Sequence, residues 1–255
     1  MIQTSITPSA GKRLIARSIV CHPAIREALT SGTIVVVAGT TNGYVAEELL
    51  AACGDESGFS RRRFFRGITL PPYQKITDSG RISDESRFPG DIIIQKGTII
   101  KGKTIFDVVD ELREGDVILK GANAVDLIHK QAGVLIGDAK GGTIVAALQA
   151  VTGRRVRFIL PVGLEKRVST DLNIIANLLN TPGASGARLL PVPGEVVTEL
   201  EAVNILTGAS AELVAAGGVC GAEGTAWLAI LGSPEQEEAA KELFTDIRKE
   251  PNFTL

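Results

Sequence analysis

Three polar, glycine-bearing segments hold the residues best suited to chemistry in this chain. Gly39-Thr40-Thr41-Asn42-Gly43 offers two hydroxyls, an amide and several backbone donors. Lys120-Gly121-Ala122-Asn123-Ala124-Val125-Asp126 brings an amide and then a carboxylate, and Asp138-Ala139-Lys140-Gly141-Gly142-Thr143 joins a carboxylate, an ammonium and two glycines. Each follows a short apolar run and precedes a stretch of helical composition. A glycine turn that opens a helix aims N–H groups and the positive end of the helix dipole at one point, which suits a phosphate or a phosphorylated sugar. In this reading Gly39, Thr40, Thr41, Asn42, Gly43, Asn123, Asp138, Gly141 and Gly142 bind substrate. Asp126 transfers a proton, and Lys140 neutralises a phosphate or a developing oxyanion. Lys166, in the charged segment Gly163-Leu164-Glu165-Lys166-Arg167, is a further phosphate ligand. Plainer roles exist for all of them. Tight turns need glycine in any strand-turn-helix protein, a first-turn aspartate stabilises a helix without a ligand, and a loop lysine is ordinarily solvated. Neither a Walker loop nor a dinucleotide fingerprint is present, since the GK[ST] ending and the GxGxxG spacing are missing.

Turns of this kind need a frame of strands and helices. Residues Lys12 to Leu29 place apolar side chains near one helical stripe, with Pro23 starting a second turn, so one or two N-terminal helices are expected. Thr33 to Ala38 is a continuous apolar run, and Tyr44 to Cys53 reads as a helix ended by Gly54. From Gly54 to Gly90 the character changes. Arg61, Arg62, Arg63 and Arg66 surround Phe64 and Phe65, with Pro71 and Pro72 beyond, in a long irregular insertion of the type that forms lids, binding loops or disordered segments. Further strands are expected at Asp91 to Gln95, Asp116 to Lys120, Gly133 to Ile136 and Val156 to Pro161. Helices are expected at Thr104 to Arg113, Ala124 to Gln131, Thr143 to Val151 and Thr170 to Asn180. Solid apolar strands, rather than alternating ones, argue for a parallel sheet covered on both faces. The expected fold class is therefore α/β, with a doubly wound, mostly parallel sheet over residues 1–182. Past a linker at Thr181 to Gly186, a smaller C-terminal ferredoxin-like α+β domain is expected over residues 183–255. Its elements are a strand at Ala187 to Pro191, a helix at Glu195 to Leu206, strands at Ala211 to Ala216 and Thr225 to Leu231, and a helix at Pro234 to Lys249.

Gly39 through Leu49 resembles the early substrate loop and helix of the type A ribose-5-phosphate isomerases. Gly121-Ala122-Asn123-Ala124-Val125-Asp126 is similar to that family's GADEVD-type motif, and Lys140-Gly141-Gly142 to its KGGG turn. The resemblance runs from about Ser31 onward, at the level of the wider isomerase and coenzyme-A-transferase-like superfamily. It implies a sugar-phosphate ligand, with Asp126 and Lys140 in catalytic positions. Two departures weaken the isomerase activity more than the ligand. Asn123 stands where the family's motif has an aspartate and exchanges no proton at neutral pH. The helix after Gly142 reads Thr-Ile-Val-Ala-Ala-Leu-Gln-Ala-Val and lacks the expected catalytic glutamate.

Composition narrows the partners. With 27 Lys plus Arg against 29 Asp plus Glu and a formal charge of -2, no global field draws nucleic acid or an anionic membrane. No apolar run approaches the ~20 residues of a membrane helix and no secretory apolar region opens the chain, so a cytoplasmic protein is expected. Cys21, Cys53 and Cys220 are too scattered for zinc and odd in number for a disulfide framework. His22 and His129 have no metal-ligand spacing, so neither metal nor cofactor is expected. The expected partner is a small phosphorylated metabolite, with homo-oligomerisation left open. Beside a structural or oligomeric protein with no small ligand, two other readings remain. One is a metabolite-sensing module without turnover. The other is a coenzyme A-dependent acyl transferase, because Ala222-Glu223-Gly224 resembles the Glu-Gly loop of those enzymes, although the same residues suit a hairpin turn.

Overall fold

A computed structural model of the chain describes residues 1–55, 58–66, 69 and 90–254. The chain opens with β1 (Ile2–Ile6), α1 (Pro8–Cys21) and α2 (Pro23–Ser31). His22 separates the two helices. Its ring accepts from Ala24 N, and Pro23 takes a first-turn position where a missing N–H is no loss. Next come β2 (Thr33–Val36), α3 (Thr40–Ala52), the hairpin β3 (Ile92–Gln95) and β4 (Thr98–Ile100), the single turn α4 (Ile105–Val108) and β5 (Val117–Leu119). A second hairpin, β6 (Ala124–Asp126) and β7 (Gln131–Ile136), leads into α5 (Gly142–Arg154), β8 (Arg157–Pro161) and α6 (Leu172–Leu179). The chain continues through β9 (Arg188–Val192), β10 (Glu195–Val197), α7 (Glu199–Thr207), β11 (Ser210–Ala216), β12 (Ala226–Leu231) and α8 (Pro234–Ile247).

Six strands make the central sheet, in the order β10-β8-β5-β2-β3-β4. The pairs from β10 to β2 are parallel, while β2–β3 and β3–β4 are antiparallel. Both faces are buried, which explains the unbroken apolar runs. Ile34 and Val36 join the core beneath α1 and α3, while Val35 and Val37 join the core beneath α4 and α5. The mixed α/β class is thus observed, with helices on either side of a mostly parallel sheet.

Several expected elements lie elsewhere. Ala124 to Gln131 is not a helix but the β6–β7 hairpin. The apolar residues Ala124, Val125, Leu127 and Ile128 fit either period, and the Asp126 carboxylate accepts from Ile128 N and His129 N, which closes a turn instead of starting a helix. β7 is not part of the central sheet. It pairs antiparallel with β6 and β9 in a separate three-stranded sheet. The strands on either side of residue 182 pair with one another, β9 with β7 and β10 with β8. The expected order of residues 187–249 is therefore spread over three sheets. Glu195 to Val197 extends the central sheet, and the helix starts only at Glu199, under a capping box of Thr198 and Glu201. β11 and β12 form the expected hairpin but take β1 as their third strand, from the far end of the chain. The expected helix at Thr104 to Arg113 shortens to α4 and a 3-10 turn. Of the irregular insertion, Arg61–Arg63 form a 3-10 turn; Pro71 and Pro72 lie outside the described residues.

Candidate functional site

β2, β5, β8 and β10 run parallel, so their carboxyl ends share one edge of the sheet. β3 runs the other way and begins there. Asp91, just before β3 and 2% exposed, ties this edge together. Its Oδ1 accepts from Ala38 N at 2.9 Å and from Arg66 Nη1 at 2.8 Å, and its Oδ2 accepts from Ile105 N at 2.8 Å. Asn42, fully buried, donates its amide to Val37 O at 2.7 Å and Leu119 O at 2.9 Å, bridging β2 and β5 just where they end. Its own carbonyl oxygen and the buried Thr41 hydroxyl have no hydrogen-bond partner among the described residues. Buried polar atoms are nearly always satisfied, so two orphans side by side at a helix start point to a missing partner.

The helix starts agree. Thr7, His22, Asp171, Thr198 and Ser233 each cap a helix with a side chain, on α1, α2, α6, α7 and α8. Among the described residues no side chain caps α3 or α5. These are the helices that follow Gly39 and Gly141. α5 ends where β8 begins, at the opposite edge of the sheet, and its 13 residues span ~20 Å. Its start therefore returns to the edge that holds the start of α3. Gly141 is required there. It has φ +83°, and a Cβ would stand 2.2 Å from Val145 Cγ2.

Lys120 follows β5 on this edge, half-buried, and its ammonium makes no hydrogen bond or ion pair among the described residues. Burial and then the Arg66 charge push it down to about 8, against the pull of Asp91. Lys140 is exposed in the turn ahead of α5, where its backbone N–H donates to Asp138 Oδ1 at 2.6 Å. Lys166, in a 3-10 turn after β8, is committed otherwise. Its Nζ donates to Ala122 O at 2.9 Å, and Glu165 and Glu199 lie close enough to pull on its charge. Burial still lowers it to about 8. Glu165 Oε1 accepts from Lys12 Nζ at 2.6 Å. Lys12 and Lys166 hold the Glu165 carboxyl below its ordinary range although burial opposes this. Glu199, 2% exposed, accepts from Leu164 N at 2.9 Å; burial first, and the Glu165 charge second, push it up.

The structure thus gathers Gly39, Thr40, Thr41, Asn42 and Gly43 with Lys120, and sets Asp138, Lys140, Gly141 and Gly142 on the same edge. Asn123 is occupied in holding the hairpin, its Oδ1 accepting from Leu135 N at 3.0 Å. Asp126 stands at the far end of β6. Besides the two turn N–H groups it pairs with His129 Nδ1 at 2.7 Å, so its described bonds all fall within its own turn. His22 donates to Glu195 at 2.9 Å, and Glu223 is exposed in the turn between β11 and β12. Sequence patterns assign Lys120 no role and single out none of Asp91, Lys12 and Glu199. A lysine directly after a buried parallel strand is a usable signal, whereas partners 153 residues apart, such as Lys12 and Glu165, leave none. Compared with known proteins, the chain matches no family model and no curated sequence.

Proposed function

We propose that this protein binds a phosphorylated sugar or a similar small anionic metabolite at the carboxyl edge of its central sheet. The first-turn amides of α3 and α5, Thr41, Lys120 and Lys140 are its ligands. The scaffold is a doubly wound sheet like that of the isomerase and coenzyme-A-transferase-like superfamily. The observation that carries the reading is the uncapped start of α3, with its orphaned Thr41 hydroxyl and Asn42 carbonyl, next to a half-buried lysine that makes no hydrogen bond or ion pair among the described residues. Amide donors at a helix start and a desolvated ammonium together make an anion site. Proton transfer has weaker support. Asp126 is engaged by its own turn, and α5 carries no glutamate, so the proposal is one of binding, with turnover by an isomerase-type reaction as its extension.

Calorimetric titration with ribose 5-phosphate, ribose and inorganic phosphate tests it. Binding of the sugar phosphate, absent with ribose and weakened roughly tenfold or more by Lys140→Ala and by Lys120→Met, is the expected pattern. Equal affinities in the wild type and both variants would remove the two lysines from the site.

A further inference from the structure

The hairpin between β6 and β7 carries a second group of side chains that the anion site does not use. Among the described residues, metal-ligating atoms from three chain positions converge here: Asp126 at the end of β6, His129 in the turn, and Asp171 ahead of α6, all within 4.8 Å of one another. His129 Nδ1 lies 2.7 Å from Asp126 Oδ2 and 3.8 Å from Asp171 Oδ2. Ligand atoms bonded to one ion at ~2.1 Å stand ~3–3.5 Å apart, and these two separations straddle that range. The other oxygen of each carboxylate is already held by backbone. Asp126 Oδ1 accepts from Ile128 N and His129 N, and Asp171 Oδ1 from Asn173 N at 2.7 Å, which leaves each Oδ2 facing the imidazole. Ligands oriented in this way by their unused atoms are typical of metal sites.

We propose that Asp126, His129 and Asp171 bind one divalent first-row transition ion. One imidazole with two carboxylates suits Zn2+, Mn2+ or Co2+ better than Mg2+ or Ca2+, which prefer oxygen alone. Three protein ligands leave coordination positions open. A cleft of about 510 Å³, walled in part by Leu127, Ile128, Glu165 and Arg167, lies beside the hairpin. Two carboxylates and one imidazole, with Asp126 4% exposed, set two negative charges around one point, which a divalent cation balances.

The test uses the full chain, stripped with a chelator and titrated calorimetrically with Zn2+, then with Co2+ followed by visible absorption. One ion per chain is expected, with an imidazole-dependent Co2+ spectrum. His129→Gln and Asp171→Asn should each weaken binding roughly tenfold or more. His129 is 57% exposed in its side chain, so its replacement leaves the fold intact, and Asn at 171 still caps α6. No uptake of Zn2+ at millimolar concentration, or an affinity that neither variant changes, overturns the site. Either result leaves the anion site at the sheet edge untouched, because neither residue belongs to it.

Discussion

Lys120 and Lys166 follow neighbouring parallel strands, β5 and β8, and both are pushed down to about 8 by burial. Their surroundings differ. Lys166 donates to Ala122 O and sits in a group whose charges answer one another, with Lys12, Glu165 and Glu199. Lys120 has Arg66 as a neighbour of like charge, and the carboxylate that pulls on it, Asp91, is spent on Arg66 and two backbone N–H groups. The same residue type at the same edge is thus a structural tie in one case and a charge without a direct partner in the other. A fold tolerates the second arrangement when a ligand completes it.

Four variants or conditions sharpen this contrast. Lys12→Met strips the largely covered Glu165 of its direct partner and should cost about 2 kcal/mol or more in urea unfolding, since a charge orphaned away from solvent is costly. Lys166→Met removes the bond to Ala122 O and the second cation facing Glu165, with a loss of about 2 kcal/mol expected in the same measurement. Lys120→Met should do the opposite. Replacing a half-buried ammonium that has no direct partner by an apolar side chain raises stability by about 1 kcal/mol while binding is lost, a common trade at functional sites. A loss of stability in Lys120→Met as large as that in Lys166→Met would erase the contrast.

The smallest effect is in the pH dependence. Both lysines have folded values near 8 against an ordinary 10.5. Between these values the unfolded chain binds more protons than the folded one, so stability rises with pH over this window and is lost as pH falls through 8. Lys120→Met should show a shallower rise than the wild type in unfolding at pH 8 to 10. Glu199, pushed up from its ordinary 4.5, works in the other direction. Its contribution is greatest below pH 4.5 and fades as pH rises toward the folded value.

Much of the frame was legible in the residues. Thr33 to Ala38 followed by Gly39 specified a buried strand, a turn and α3, and Ser233-Pro234 marked the start of α8. Local patterns failed where tertiary partners decide. Ala124 to Gln131 satisfies a helical stripe, yet its backbone pairs with β9 through β7, some 55 residues on, and Asp126 turns the chain. Glu195 to Val197 reads as the start of a helix but is drawn into the sheet by β8. At the site, the glycine turns and Lys140 were visible because they are contiguous. Lys120 became significant only when Asp91, Arg66 and Asn42 were seen around it, and none of these is near it in the chain.

The central claim is that Lys120 is left without a direct partner for the sake of an anion. The most direct test is the melting temperature of the wild type and of Lys120→Met, each with and without millimolar ribose 5-phosphate. Ligand at 100 times its dissociation constant stabilises a fold by about 2.7 kcal/mol, an effect easily seen in such a melt. The account predicts a ligand-induced rise in the wild type, and in Lys120→Met a higher starting temperature that the ligand does not raise further. A wild type unmoved by the ligand, or a Lys120→Met variant that starts lower and responds in full, would contradict it.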